Sequence, residues 1–180
     1  MTADVTTSVT AEIITNRGIV RVELLLEEAP KVCANFLNLA RRGFYNRLTF
    51  FRVVGDAFVQ TGDPLEDGSG GPGYHVDAEF SDKLLHSAPG VLSMVASPPG
   101  KIGSQFIVTK VAAPWLNNRN PVFGRVLSGQ YIIDTLRPGD FIKGVKIKGS
   151  VELFLSRYQE DIRKWDRILD PNYPRRAGVG

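Results

Sequence analysis

Apolar and polar residues alternate with period two in short segments along most of this chain, and turn-forming residues separate them. Within Glu12–Leu24, Val20, Val22 and Leu24 alternate with Ile19, Arg21 and Glu23 after a turn at Asn16-Arg17-Gly18. Further strands are predicted over 48–54 and 57–62, bent at Gly55-Asp56, and over 91–95, 105–109, 122–126 and 141–148. A long glycine-rich, irregular stretch runs from 63 to 89. Many short strands with few helices favour a closed barrel or a sandwich, so the fold class is mainly β.

Three helical segments interrupt the strands. One opens at Glu28-Ala29-Pro30, where proline is tolerated in a first turn. Its apolar stripe is Val32, Phe36, Leu37 and Ala40, and Gly43 follows its end. A short helix is predicted over 129–136, ended by Pro138-Gly139. The last lies within 150–169, where Val151, Leu155, Tyr158, Ile162, Trp165 and Leu169 make one apolar face. Ser156 and Gln159 have capping-box spacing; a helix starting there would leave 151–155 to continue the last strand. Such a face needs a partner, and fewer than three heptads make a poor coiled coil. Docking on the same chain, and a monomer, are therefore expected.

Composition narrows the classes of function. The 180 residues suffice for one domain with a substantial core, and 43% hydrophobic with 23% charged residues is ordinary for a globular protein. The expected organisation is a flexible segment over 1–10, a folded domain over 11–149 and a helical extension with a tail over 150–180. No apolar run approaches the ~18 residues of a membrane helix, and residues 1–10 lack a secretory pattern. The single Cys33 excludes an internal disulfide and a multi-cysteine metal site. A cytoplasmic location is expected. A net charge of +3 is a weak field, and Lys143, Lys146 and Lys148 read as the wet face of a strand. No nucleic-acid or membrane partner is expected.

Several motifs dissolve on inspection. Gly68–Gly73 matches G-x-G-x-x-G, but no strand precedes it, no helix follows it, and Pro72 removes an amide donor. It reads as a tight surface loop. His75 and His86 lack metal-ligand spacing and read as loop histidines on a solvated face. Cys33 sits beside the stripe residue Val32 and reads as inert packing. No covalent nucleophile signature appears, and no metal or cofactor is expected.

Phe50-Phe51-Arg52-Val53-Val54 is more informative. Strand alternation puts Phe50, Arg52 and Val54 on one face, and an arginine between apolar side chains requires a partner or a ligand. Phe58 shares a face with Gln60, as Gln105 does with Ile107. These residues suggest a concave site with a few fixed polar groups; a solvated sheet face with amphipathic side chains accounts for the same period.

Over residues 12–148 the chain resembles the cyclophilin-type peptidyl-prolyl isomerases. The resemblance is carried by Phe50–Val54, Phe58–Asp63, Gly70-Gly71, Pro89–Met94, Gly103–Thr109, Trp115-Leu116 and Val122–Val126, in that order. It implies an eight-stranded antiparallel barrel closed by two helices, with a binding groove on its outside. It implies Arg52 as the catalytic arginine, with Gln60 and Gln105 holding the substrate backbone. Phe58, Ile107 and Leu116 then form the proline pocket with Trp115 at its rim, and Val95 and Ala96 offer backbone contacts. The partners implied are proline-containing peptides and unfolded proteins, and the role is in protein folding, as a chaperone.

The chain departs from the family pattern at the pocket. Ala57 and Ile107 stand where the family usually has phenylalanine, and Asn120 where it usually has histidine. Gly55-Asp56 replaces Pro-Gly, and Thr61 replaces a glycine. The polar set is intact while two aromatic rings are missing, which implies weaker proline binding and weak binding of cyclosporin-type cyclic peptides. Two other functions stay open: a proline-peptide binding module or holdase with weak catalysis, and a barrel that takes a small molecule in its interior. The abundance of Val, Leu and Phe in the strands argues that the interior is filled.

Overall fold

Strands β1 (Thr10–Thr15) and β2 (Gly18–Leu24) form the expected hairpin in a computed structural model that describes residues 8–174. The Thr15 hydroxyl accepts the amides of Arg17 and Gly18 and closes the turn, where Gly18 adopts a φ of 140°. Val20, Val22 and Leu24 point into the core, as their alternation predicts. Residues 1–7 of the expected N-terminal segment lie outside the described residues; Val9 is buried and Thr10 already pairs with Glu23 and Lys148.

Helix α1 (Pro30–Arg41) follows, and every residue from Val32 to Ala40 is buried. Its predicted stripe is thus one side of a fully enclosed helix. The Phe36 ring meets those of Tyr45, Phe106 and Phe123 at centroid distances of 5.4, 5.7 and 5.2 Å. These rings fill the space inside the curled sheet, so the interior is packed rather than hollow.

The remaining strands are β3 (Arg52–Val54), β4 (Phe58–Thr61), β5 (Val76–Asp77), β6 (Val91–Ala96), β7 (Lys101–Thr109), β8 (Val122–Ser128) and β9 (Ile142–Lys148). Of the nine described strands, eight run in the order β3-β4-β7-β6-β8-β2-β1-β9, every pair antiparallel, and β5 adds to β7. The expected closed barrel needs one correction. The sheet curls until its ends approach, but β3 and β9 form no ladder. The segment before β3 meets the start of β9 through Arg47 N to Ile142 O at 2.7 Å, Ile142 N to Leu48 O at 2.9 Å and one bridge, Thr49 to Phe141. A seam of a few bonds, rather than a ladder, links the ends of the curled sheet, which is not a fully closed barrel.

That seam overturns one expected alternation. Phe50 bonds to Asp140 through its backbone and lies in the core, where Val53 also packs. Phe50 and Arg52 therefore do not share a face, because the strand period begins only at Arg52. Helix α2 (Gln130–Thr135) buries Ile132 and Ile133 and stops before Pro138. Lys143, Lys146 and Lys148 are exposed on β9. Among the described residues, no helix is long and apolar enough to cross a membrane.

The C-terminal face docks on the same chain. Val151, Leu155, Trp165 and Leu169 are buried, and Tyr158 and Ile162 pack against the core. The segment is two helices, α3 (Glu152–Ser156) and α4 (Gln159–Leu169), so neither a single helix nor a continued strand occupies 151–158. Ser156 donates to Leu153 O at 2.6 Å rather than capping α4. Buried Arg42, at the end of α1, holds α4 through Asp166 at 2.7 Å and Asp170 at 2.8 Å.

Candidate functional site

The outer faces of β3, β4 and β7 carry the polar groups that the sequence singles out. Arg52 pairs with Gln60 across β3 and β4, and Gln60 with Ile107 across β4 and β7. Phe106 and Val108 turn into the core, which leaves Gln105 and Ile107 on the opposite face. Phe58 likewise opposes the core residue Val59. The Arg52 guanidinium lies 5.8 Å from the centre of the Phe58 ring, within cation–π range.

A chain of hydrogen bonds links the three polar side chains. Arg52 Nη1 donates to Gln60 Oε1 at 3.3 Å, and Gln60 Nε2 donates to Gln105 Oε1 at 2.9 Å. Gln105 Nε2 donates to the carbonyls of Gly68 at 3.0 Å and Gly70 at 2.9 Å. Backbone carbonyls only accept, so they dictate which end of the Gln105 amide faces them. Its oxygen must then face Gln60, and the Gln60 oxygen must face Arg52. The loop carbonyls thus set the polarity of the whole chain. Both glutamines are buried, at 5% and 8% exposure, while Arg52 is exposed to solvent. Among the described residues Arg52 has no ion-pair partner, and Gln60 is its one hydrogen-bond partner.

The glycine-rich loop is therefore part of the site, a role its sequence pattern does not reveal. Asp63, wholly buried, accepts the amides of Leu65 at 2.8 Å, Asp67 at 3.1 Å and Gly68 at 2.6 Å. A Cβ on Gly70 would collide with the Asp63 carboxylate. An aspartate opening a turn-rich stretch was the available signal for this built loop. Between the loop and the barrel lies a cavity of about 290 Å³, with Val95, Ser97 and Gln105 in its wall. The β6–β7 ladder slips between Met94 and Ala96, so Gly103, Ser104 and Gln105 stand opposite Val95 there. Val95 and Ala96 are half-buried.

Trp115 and Leu116 sit on a single 3-10 turn, Pro114–Leu116. Trp115 is 54% exposed; Leu116 and Asn120 are half-buried, and Asn120 N donates to Leu116 O. His86 anchors this turn. Its backbone amide and Nδ1 both reach Asn117 Oδ1, at 2.8 and 2.9 Å, its carbonyl accepts the Ala113 amide, and Nε2 meets Ser93 Oγ at 2.9 Å. His86 is 0% exposed, which corrects the expectation of a solvated histidine; His75 is exposed as expected. Desolvation lowers the His86 pKa, and its bond to Asn117 opposes that shift. The buried Cys33 thiol donates to Phe123 O at 3.4 Å, and burial pushes its pKa far up, as befits an inert packing residue.

Comparison with known proteins points to a single family. Residues 10–152 match the cyclophilin type peptidyl-prolyl cis-trans isomerase/CLD family. The chain is 41% identical over 146 residues to peptidyl-prolyl cis-trans isomerase-like 1 of Aspergillus fumigatus, covering 74% of this chain and 91% of that protein. It is 41% identical over 121 residues to the isomerase ppi1 of Schizosaccharomyces pombe, covering 66% and 78%. A crystal structure of a Cryptosporidium parvum cyclophilin superposes with a TM-score of 0.73 at 30% identity, over 79% of this chain and 99% of that one. A second structure of that protein, in the presence of the dipeptide Ala-Pro, superposes with a TM-score of 0.71. By sequence and by fold, this chain belongs to the cyclophilin-type peptidyl-prolyl cis-trans isomerase family.

Proposed function

We propose that this chain catalyses rotation about X-Pro bonds in peptides and unfolded proteins, with Arg52 and Gln60 as its catalytic residues. The observation that carries this reading is the oriented bond chain from the glycine loop through Gln105 and Gln60 to an exposed arginine. An X-Pro bond turns slowly because amide resonance must be broken, at a barrier of about 18–20 kcal/mol. Twisting localises a lone pair on the prolyl nitrogen. A guanidinium donor beside that nitrogen favours the twisted form over the planar one, which is differential transition-state binding. Arginine suits this because it stays charged beside the Phe58 ring and its donors are rigidly arranged. Gln60 holds Nη1 from behind and leaves the other guanidinium N–H groups for the substrate. Phe58, Ile107 and Leu116 supply the apolar surface for the proline ring, Trp115 and Asn120 its rim, and Val95 and Ala96 the backbone contacts. The chemistry requires no proton transfer and no cofactor.

The test is isomerisation of an Ala-Pro-Phe type peptide by the native chain and by Arg52→Ala. Loss of at least about tenfold in kcat/KM, or ~1.4 kcal/mol, in a folded variant supports the assignment. A second reading, a proline-peptide binder with weak catalysis, is favoured by the 1% exposure of Ile107, which leaves little apolar depth open. Peptide binding without isomerisation by the native chain would select it.

A further inference from the structure

We infer that Trp165, on the C-terminal helix α4, is a positioning residue for the Arg52–Gln60–Gln105 site, acting through Tyr74 and the glycine loop. The inference rests on the isomerase reading above, and it concerns a segment beyond the family match, which ends at residue 152.

The polarity of the site depends on two loop carbonyls, so whatever holds the loop holds the site. Asp63 fixes its first half. Its second half is covered by α4. The Trp165 indole stacks on the Tyr74 ring with centroids 5.7 Å apart and planes 8° from parallel. One residue earlier, Gly73 lies against Ile168; a Cβ there would stand 2.9 Å from Ile168 Cγ2. The loop end is tied back to β7 as well. Tyr74 donates its hydroxyl to Asn35 Oδ1 at 2.7 Å, and Asn35 Nδ2 donates to Gly103 O at 2.8 Å. Gly103 stands two residues before Gln105 and close under Pro72. Trp165 therefore presses on Tyr74, one of the residues through which the end of the loop and the start of β7 are held together. Trp165 itself is immobilised, being 5% exposed on a helix that buried Arg42 grips through the next residue, Asp166.

Without that ring, Tyr74 loses its cover, the segment from Gly70 to Tyr74 loosens, and the Gln105 amide keeps as a fixed acceptor only Gly68 O, on the part of the loop that Asp63 holds. Its oxygen and nitrogen can then exchange places, which breaks the bond to Gln60 and frees Arg52. The consequence falls on positioning of the guanidinium rather than on the fold as a whole.

The experiment compares Trp165→Ala, Trp165→Phe and Leu155→Ala in the full chain. Leu155 is buried on α3, beside Asn38 and Arg42, and controls for general loosening of the C-terminal segment. Two readouts are taken: kcat/KM on a prolyl peptide, and the side-chain amide NMR signals of Gln105 and Gln60. Trp165→Ala should lower kcat/KM about three- to thirtyfold, mainly through kcat, and should move the Gln105 amide signals. Trp165→Phe should restore both, and Leu155→Ala should change neither. Unmoved Gln105 signals in folded Trp165→Ala, or equal losses in Leu155→Ala, would overturn the inference. Should Trp165→Ala fail to fold, Tyr74→Leu removes the partner ring from the loop side and is read the same way. The NMR readout does not depend on activity. Should the native chain lack isomerase activity while the Gln105 signals still move in Trp165→Ala, the isomerase reading falls and the positioning role stands.

Discussion

Gln105 donates one side-chain nitrogen to two backbone carbonyls, Gly68 O and Gly70 O, and takes the Gln60 amide on its oxygen. Three hydrogen bonds on one buried amide make it the keystone of the site. Replacing it by leucine leaves the Gln60 amide and two carbonyls without that partner. Gln105→Leu is expected to lower kcat/KM by about tenfold or more, and to cost about 1–3 kcal/mol of stability. Peptide kinetics with urea unfolding of the same variant checks both.

Asp166 and Asp170 meet a guanidinium that is almost fully enclosed, and Asp166 is the more sheltered of the two. Removing a partner from a buried charge costs more than the pair contributes. Asp166→Ala is expected to destabilise the protein by about 2–4 kcal/mol, and Asp170→Ala by clearly less. Truncation after Gly149 takes both carboxylates and four buried apolar residues away, and it should lower Tm more than either variant. Thermal unfolding of the series decides this; equal effects of the two aspartates would refute it.

His86 carries a pH dependence with a definite sign. Burial holds its folded pKa below the ordinary 6.5. The unfolded chain therefore binds the proton first as the pH falls. The stability associated with neutral His86 is present above about pH 6.5 and is lost between that value and its lower folded pKa. Stability should decline from pH 7.5 to 5.5, and His86→Gln should flatten that slope while destabilising the protein at pH 7.5. Folded His86 stays neutral through that window and keeps tying down the turn bearing Trp115 and Leu116, so native peptide affinity should hold there and weaken only below the folded pKa. Unfolding curves and peptide titrations at the two pH values test this.

Cyclosporin-type ligands are expected to bind the native chain weakly, and the two pocket departures should behave differently when reversed. Ala57 is half-buried at the β3–β4 turn rather than enclosed in the core, so Ala57→Phe should tighten binding. Ile107 is 1% exposed, and a larger side chain there forces its neighbours apart at about 1–3 kcal/mol. Ile107→Phe should therefore lower Tm without a comparable gain in affinity. Calorimetry showing tight binding by the native chain would defeat the thinned-pocket argument.

Local patterns in the sequence determined the elements whose period is set by one neighbouring surface. Val20, Val22 and Leu24 had only one way to turn inward, and the 150–169 face had to meet a partner, because exposed apolar area on that scale is unfavourable. The Arg52, Gln60 and Gln105 constellation was legible for the same reason: polar side chains recur on strand faces opposite core residues. Tertiary structure decided whatever depends on two distant segments meeting. Phe50 went inward because the 47–50 segment pairs with 139–142, and that seam, rather than a β3–β9 ladder, links the ends of the curled sheet. His86 became buried because Ser93, on the next strand, and Asn117, 31 residues along the chain, supply partners for both ring nitrogens. The glycine loop became part of the site because its carbonyls face Gln105, and Trp165 covers it from a helix nearly one hundred residues later. No local period encodes such meetings, since each depends on where the rest of the chain has folded.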